Sequence, residues 1–206
     1  MITEGIYPDT CTIPYVLKSC VNFRALEEGR QIHAHSVKFG LSSNVYVFNT
    51  LIRLYAICGV TQYVKELFDQ SPERDLVSWT TLIQAFVKMG FAKEATRAYF
   101  DMCRANLQPD KRTLVVVLSA CSRLGDLSLG TRIHENICDV HDVYSDVFVR
   151  NASVDMCMKC GDTDSALQLF EKMPVKNVVS WNSMISGLVQ QGQFKEACMF
   201  FMICKG

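Results

Sequence analysis

The sequence predicts an all-α solenoid built from helical hairpins, and three observations carry that prediction. The chain repeats itself: Val77-Ser78-Trp79 returns as Val179-Ser180-Trp181, 102 residues later, and Val45 to Gly59 realigns with Val147 to Gly161 at the same offset. Turn residues divide the two blocks into units of 35, 31 and 35 residues, then 36 and 31, with a last one unfinished. Units of this size cannot bury their apolar face alone and stack on their neighbours to make a core. Within a unit the apolar residues recur at helical spacing, and no strand-like alternation competes.

Each element has its own warrant. Residues 1–9 resemble the tail of a preceding unit, similar in character to Arg104–Asp110. The unit 10–44 carries Cys20 in its first helix as a small core residue and His33 in its second as a structural one. The unit 45–75 opens with the realigned first helix and closes on Ser71–Asp75, where Pro72 stops the helix. In the unit 76–110, Trp79, Leu82, Ile83 and Phe86 form one helical stripe that ends at Met89-Gly90. Ala95, Ala98, Tyr99 and Met102 form a second, which Pro109 terminates. The unit 111–146 repeats the first at an offset of 101, setting Cys121, Gly130, Ile133 and His134 against Cys20, Gly29, Ile32 and His33. One inserted residue near His141–Asp146 then restores the offset of 102. The unit 147–177 ends, like its counterpart, on a turn with Pro174, and 178–206 is an unfinished copy of 76–110. Solenoids normally carry polar capping repeats and none is visible, so the chain is expected to be a fragment or a shortened gene product.

Composition narrows the function. Lys plus Arg and Asp plus Glu are each 21, so the net charge is zero, which excludes a simple basic adhesive for nucleic acid and a polybasic membrane anchor. An apolar share of 49% with 20% charged residues suits a packed chain rather than a disordered one. The longest apolar run, from Leu114, is too short to span a bilayer. Ten cysteines fall below the density of a disulfide-stapled secreted domain. With no secretory signal at Met1, an intracellular, reduced chain is expected, without a transit peptide of its own.

Phe48-Asn49-Thr50-Leu51-Ile52, Trp79-Thr80-Thr81-Leu82-Ile83 and Trp181-Asn182-Ser183-Met184-Ile185 resemble the first helix of pentatricopeptide (PPR) repeats. Gly29–His33 (GRQIH), Lys159–Asp162 (KCGD) and Asn177–Gly187 (NVVSWNSMISG) are characteristic of the plant PLS subclass. The resemblance covers essentially the whole chain. It implies a right-handed α-solenoid in which 10–44 and 111–146 are L repeats, 45–75 and 147–177 S repeats, and 76–110 and 178–206 P repeats. It also implies single-stranded RNA as the partner, with one base per repeat read by two or three side chains. The reader pairs carried over are Asn49 with Asp75, Thr80 with Asp110, and Asn151 with Asn177, while Asn182 lacks its partner. Asn offers both a donor and an acceptor and Thr a hydroxyl, so such pairs can separate bases. The family's pattern then gives uracil, guanine, and cytosine or uracil. The L repeats depart from it: Pro14 and Val115 stand at the first reading position, making Pro14/Asn44 and Val115/Asp146 poor readers. Tyr46, Val77, Phe148 and Val179 would pack against base faces.

Plainer readings stand beside these. A lone Asn or Thr in a first turn is more often a cap, and the junction Asp75 and Asp110 suit N-caps of the next helices. Cys157-Met158-Lys159-Cys160 is a CxxC, but the internal alignment sets Cys157 against Tyr55, a core position, so no metal and no cofactor is expected. His33-Ala34-His35 and His134-Glu135-Asn136 both lack the H-x-E of a deaminase, and Met156 replaces the proline before Cys157. The chain is therefore expected not to be an enzyme and to have neither a small-molecule substrate nor a membrane partner. PLS proteins mostly specify cytidines for C-to-U editing through E and DYW extensions that this chain does not show. The resemblance thus implies target recognition for C-to-U editing or other RNA processing in a mitochondrion or chloroplast, with the deaminase coming from a missing C-terminus or, like an accessory factor, acting in trans. The alternative is a protein-binding scaffold of tetratricopeptide type. Its W-x₂-L-G-x₂-Y pattern fails after Trp79, where Ile83 stands in place of glycine.

Overall fold

The computed structural model describes residues 7–71, 74–138 and 146–203, and among them every regular element is an α-helix. The chain divides into two compact units, residues 1–108 and 109–206. The residues around the expected insertion, 139–145, and most of the expected N-terminal tail, residues 1–6, lie outside the described residues.

The first unit contains α1 (Thr12–Phe23), α2 (Leu26–Lys38), α3 (Val45–Ile57), α4 (Thr61–Gln70), α5 (Leu76–Lys88) and α6 (Ala92–Arg104). Helices α1, α3 and α5 pack side by side as one layer, and α2, α4 and α6 fold back on them as antiparallel partners. The two stripes anticipated in residues 76–110 are the buried faces of α5 and α6: Trp79, Leu82, Ile83 and Phe86 on one, Ala95, Ala98, Tyr99 and Met102 on the other. The turn between them needs Gly90, whose φ of 84° is a left-handed conformation that a Cβ would strain. Trp79 meets Phe68 edge-on at 4.6 Å, which joins α4 to α5.

The second unit contains α7 (Lys111–Leu124), α8 (Leu127–Cys138), α9 (Val147–Lys159), α10 (Thr163–Glu171), α11 (Val178–Gln190) and α12 (Phe194–Ile203). Here α7, α9 and α11 form the first layer, with α8, α10 and α12 as their partners. Its core includes Leu114, Leu118, Cys121, Ile133, Val154, Met156, Met184 and Leu188. The internal alignment of Gly29 with Gly130 has a packing cause. A Cβ at Gly29 would collide with Leu54 on α3, and one at Gly130 with Met156 on α9. A side chain at either position would therefore force the facing Leu54 or Met156 side chain to move.

Cys20 and Cys121 are buried, and burial pushes the Cys121 thiol up to about 12. Burial does the same to Cys157. Cys160 lies at the C-terminus of α9 and is partly exposed. No group of three or more potential ligands among the described residues is placed to hold a metal ion. His33 is half-buried, with Nδ1 2.8 Å from the Tyr55 hydroxyl. No helix among the described residues is long and apolar enough to cross a membrane.

Candidate functional site

The junction residues all occupy one structural position. Asn44, Asp75, Asp110, Asp146 and Asn177 are the N-caps of α3, α5, α7, α9 and α11, and each side-chain oxygen accepts from backbone N–H groups of the first turn. Asp75 Oδ1 accepts from the Ser78 amide at 2.8 Å and the Ser78 hydroxyl at 2.7 Å, and Asp110 does the same with Thr113. Capping employs one oxygen of each carboxylate and leaves the second without a bond among the described residues. Asp146 differs, because Lys111 Nζ also reaches its Oδ2 at 3.2 Å. Burial works to raise the Asp146 pKa, but the Phe148 amide and the Lys111 ammonium outweigh it and hold the carboxyl below its ordinary value.

The first-helix positions are not caps. Asn49, Thr80 and Asn151 lie one turn into α3, α5 and α9 and are 9%, 6% and 4% exposed. The Thr80 hydroxyl donates to the Leu76 carbonyl at 2.7 Å. The two asparagines have no such outlet, and the Oδ1 atoms of Asn49 and Asn151 are buried without a hydrogen-bond partner. An orphaned acceptor of this kind costs about 1–3 kcal/mol and is rare in folded chains, where it calls for an explanation. Asn151 Nδ2 donates to Asn177 Oδ1 at 3.2 Å, so this pair, 26 residues apart in sequence, is physically joined. Asn177 Oδ1 also caps Ser180, whose hydroxyl accepts from the Asn177 amide in return. Asn49 and Asp75 share no hydrogen bond. Thr80 belongs to the first unit and Asp110 to the second. Asn182 is exposed on α11.

In the second unit a cleft of about 340 Å³ gathers Val115, Phe148, Asn151 and Val179 from α7, α9 and α11. Phe148 and Val179 are 61% and 53% exposed and flank the buried Asn151. A cleft of about 360 Å³ in the first unit gathers Pro14, Asn44 and Tyr46, the last 75% exposed. Val77, at the matching position of α5, is also exposed. Each cleft thus combines an exposed flat or branched apolar group with first-helix positions, and that of the first unit also includes the junction residue Asn44. Such a surface can stack a planar ring and hydrogen-bond its edge. Sequence reasoning missed Lys18 in the first cleft and Ser119 and Asp155 in the second. The signal was available: each lies four residues after a first-helix position (Pro14, Val115 and Asn151), hence on the same helix face. A larger cleft of about 460 Å³, between α4, α5 and α6, is lined by Phe68, Trp79 and charged residues, and none of the expected reading side chains reaches it.

Comparison with known proteins finds matches to repeat-family models within both units. Residues 46–76, 151–178 and 179–205 match a family described as "PPR repeat", and residues 74–123 match one described as "PPR repeat family". A pentatricopeptide repeat-containing protein of Arabidopsis thaliana, named chloroplastic/mitochondrial, is 43% identical over 94% of this chain and 31% of its own length. A second from the same plant is 38% identical over 98% of this chain and 35% of its own length. The chain therefore spans about a third of the length of the curated relatives it matches. The crystal structure of the pentatricopeptide repeat protein PPR10 in complex with an 18-nt psaJ RNA element superposes with a TM-score of 0.82. It is 21% identical and covers 100% of this chain and 32% of that one. The crystal structure of PPR10 from maize gives 0.68 at the same identity, over 90% of this chain and 27% of that one. The likeness shows that the two share the fold of a helical-repeat solenoid.

Proposed function

From the premise that this chain belongs to the pentatricopeptide (PPR) repeat family, we propose that it binds single-stranded RNA, one base to each repeat, as a target-recognition module. The observation that carries this is the joined pair Asn151–Asn177. Asn151, whose Oδ1 is buried without a partner, lines a cleft between exposed Phe148 and Val179. A base edge supplies the missing partner, and the two apolar groups receive the ring. The related PPR10 has been crystallised with an RNA element, which supports the same class of ligand here.

The repeats are those cut at residues 44, 75, 110, 146 and 177, and the L, S and P order is part of the proposal. Asn49 with Asp75 reads uracil, Thr80 with Asp110 guanine, and Asn151 with Asn177 cytosine or uracil. Pro14 and Val115 leave the L repeats without a hydrogen-bonding reader. With the chain running 5′ to 3′, the preferred sequence is n-U-G-n-(C/U). The chain acts by binding rather than by catalysis, and site choice for C-to-U editing, with the deaminase supplied elsewhere, is the role proposed for it. Relatives named chloroplastic or mitochondrial support an organellar setting.

The test is fluorescence anisotropy with a short labelled RNA carrying adjacent U and G, then with G replaced by U, for the parent and for Thr80→Asn. The parent is expected to prefer G and the variant U. If neither discriminates, the reading of Thr80 is wrong. If neither binds above a duplex-DNA background, the RNA-binding proposal itself fails.

A further inference from the structure

The positions one helical turn beyond the readers are Lys18, Arg53 and Gln84 in the first unit and Ser119, Asp155 and Ser186 in the second. Each shares a helix face with its own reader (Pro14, Asn49, Thr80, Val115, Asn151 and Asn182), because residues four apart lie one above the other on a helix. The first unit thus carries two cations at these positions, and the second an anion. Lys18 lines the cleft with Pro14, Asn44 and Tyr46. Both Lys18 and Arg53 are exposed, and neither makes an ion pair among the described residues. Asp155 lines the cleft with Phe148, Asn151 and Val179, and its Oδ2 lies 2.8 Å from Lys159 Nζ.

We propose that these positions set the grip on the RNA backbone, with Lys18 and Arg53 attracting phosphates and Asp155 acting as a brake that silences Lys159. The inference rests on the RNA-binding reading above. A nucleotide whose base enters the cleft of the second unit brings its phosphates to the cleft mouth. There it meets a carboxylate, and a lysine already neutralised by that carboxylate. The pair is half-exposed on both sides, so little net energy holds it together. Removing the carboxylate therefore releases the ammonium for a phosphate.

For single strands, each phosphate neutralised steepens the dependence of log K on log salt by about 0.7, which is about fivefold in affinity at 0.1 M salt. The experiment is anisotropy of the full chain on the U-G RNA, between about 50 and 200 mM salt. Asp155→Asn is expected to bind about fivefold tighter at 0.1 M with a slope steeper by about 0.7, and Lys18→Gln to shift both the opposite way. Base preference stays unchanged, since phosphate contacts carry no sequence information. Adding Lys159→Gln to Asp155→Asn abolishes the gain. Asp155→Ser, which copies the serine of the neighbouring repeats, carries the same expectation should the asparagine variant fail to fold. A folded variant with the parent's affinity and slope, or one with altered base preference, overturns this inference alone. A parent that binds no RNA overturns it together with the reading on which it rests.

Discussion

Replacing Asn49 by threonine separates what this position does for the fold from what it does for a ligand. Asn49 is 9% exposed, and its Oδ1 is buried without a partner. The fold bears about 1–3 kcal/mol for that orphan. Thr80 shows the alternative at the matching turn of α5, where its hydroxyl returns a hydrogen bond to Leu76 at 2.7 Å. In Asn49→Thr the new hydroxyl would bond the Val45 carbonyl in the same way. Threonine has nearly the volume of asparagine, and its β-branching costs a few tenths of a kcal/mol in a helix. The net expectation is a stabilisation of about 1 kcal/mol, which for a chain of this size raises the melting midpoint by about 2–4 °C. Circular dichroism melts measure the first effect. Anisotropy on U- and G-bearing RNAs measures the second, a shift of preference from uracil toward guanine at this repeat. A lowered midpoint would refute the reasoning, because it would mean that the Asn49 carbonyl is not held at a cost. A raised midpoint with unchanged preference would show that the orphan serves no reading.

Asn177→Ala removes both a cap and the partner of a buried amide. Its expected cost is about 1 kcal/mol for the cap and about 1–3 for the stranded Asn151 donor. Asp75→Ala, which removes a cap alone, is expected to cost less in the same denaturant titration. Gly187→Ala places a Cβ 2.6 Å from Met158 Cβ, an atom tied to the backbone of α9 that cannot rotate away. Overpacking of about 1–3 kcal/mol outweighs the gain of about 1 in helix propensity, so the midpoint falls, whereas an unstrained glycine-to-alanine change in a helix would raise it. Burial holds the His33 and His134 pKa values below the ordinary 6.5, so the folded state binds fewer protons than the unfolded one in that range. Stability is complete above this value and is lost as the pH falls through 6.5 toward the folded values. Melts of His33→Gln across pH 5–8 are expected to show a shallower loss.

Much of the architecture was legible because its causes are local. Trp79, Leu82, Ile83 and Phe86 recur at helical spacing, Gly90 supplies a left-handed turn, and Asp75 and Asp110 cap α5 and α7. Each of these acts within a few residues and can be read from a linear string. The N-cap role of the junction residues was likewise visible as the plainer reading of Asp75 and Asp110, and capping does not compete with ligand contact when one carboxylate oxygen stays open. Lys18, Ser119 and Asp155 belong to no recurring motif, so nothing in the repeat pattern singles them out, although their spacing of four from the first-helix positions marks the same face.

The helical hairpins, their period and the duplication of the block follow from the linear chain, since periodicity, prolines and glycines act through neighbouring backbone. Packing between repeats fixes which polar atoms lie buried without a partner, which apolar rings stay exposed, and that Asn151 meets Asn177 across 26 residues. Burial and pairing depend on side chains contributed by other repeats, and no property of a single helix specifies what its neighbour will leave uncovered.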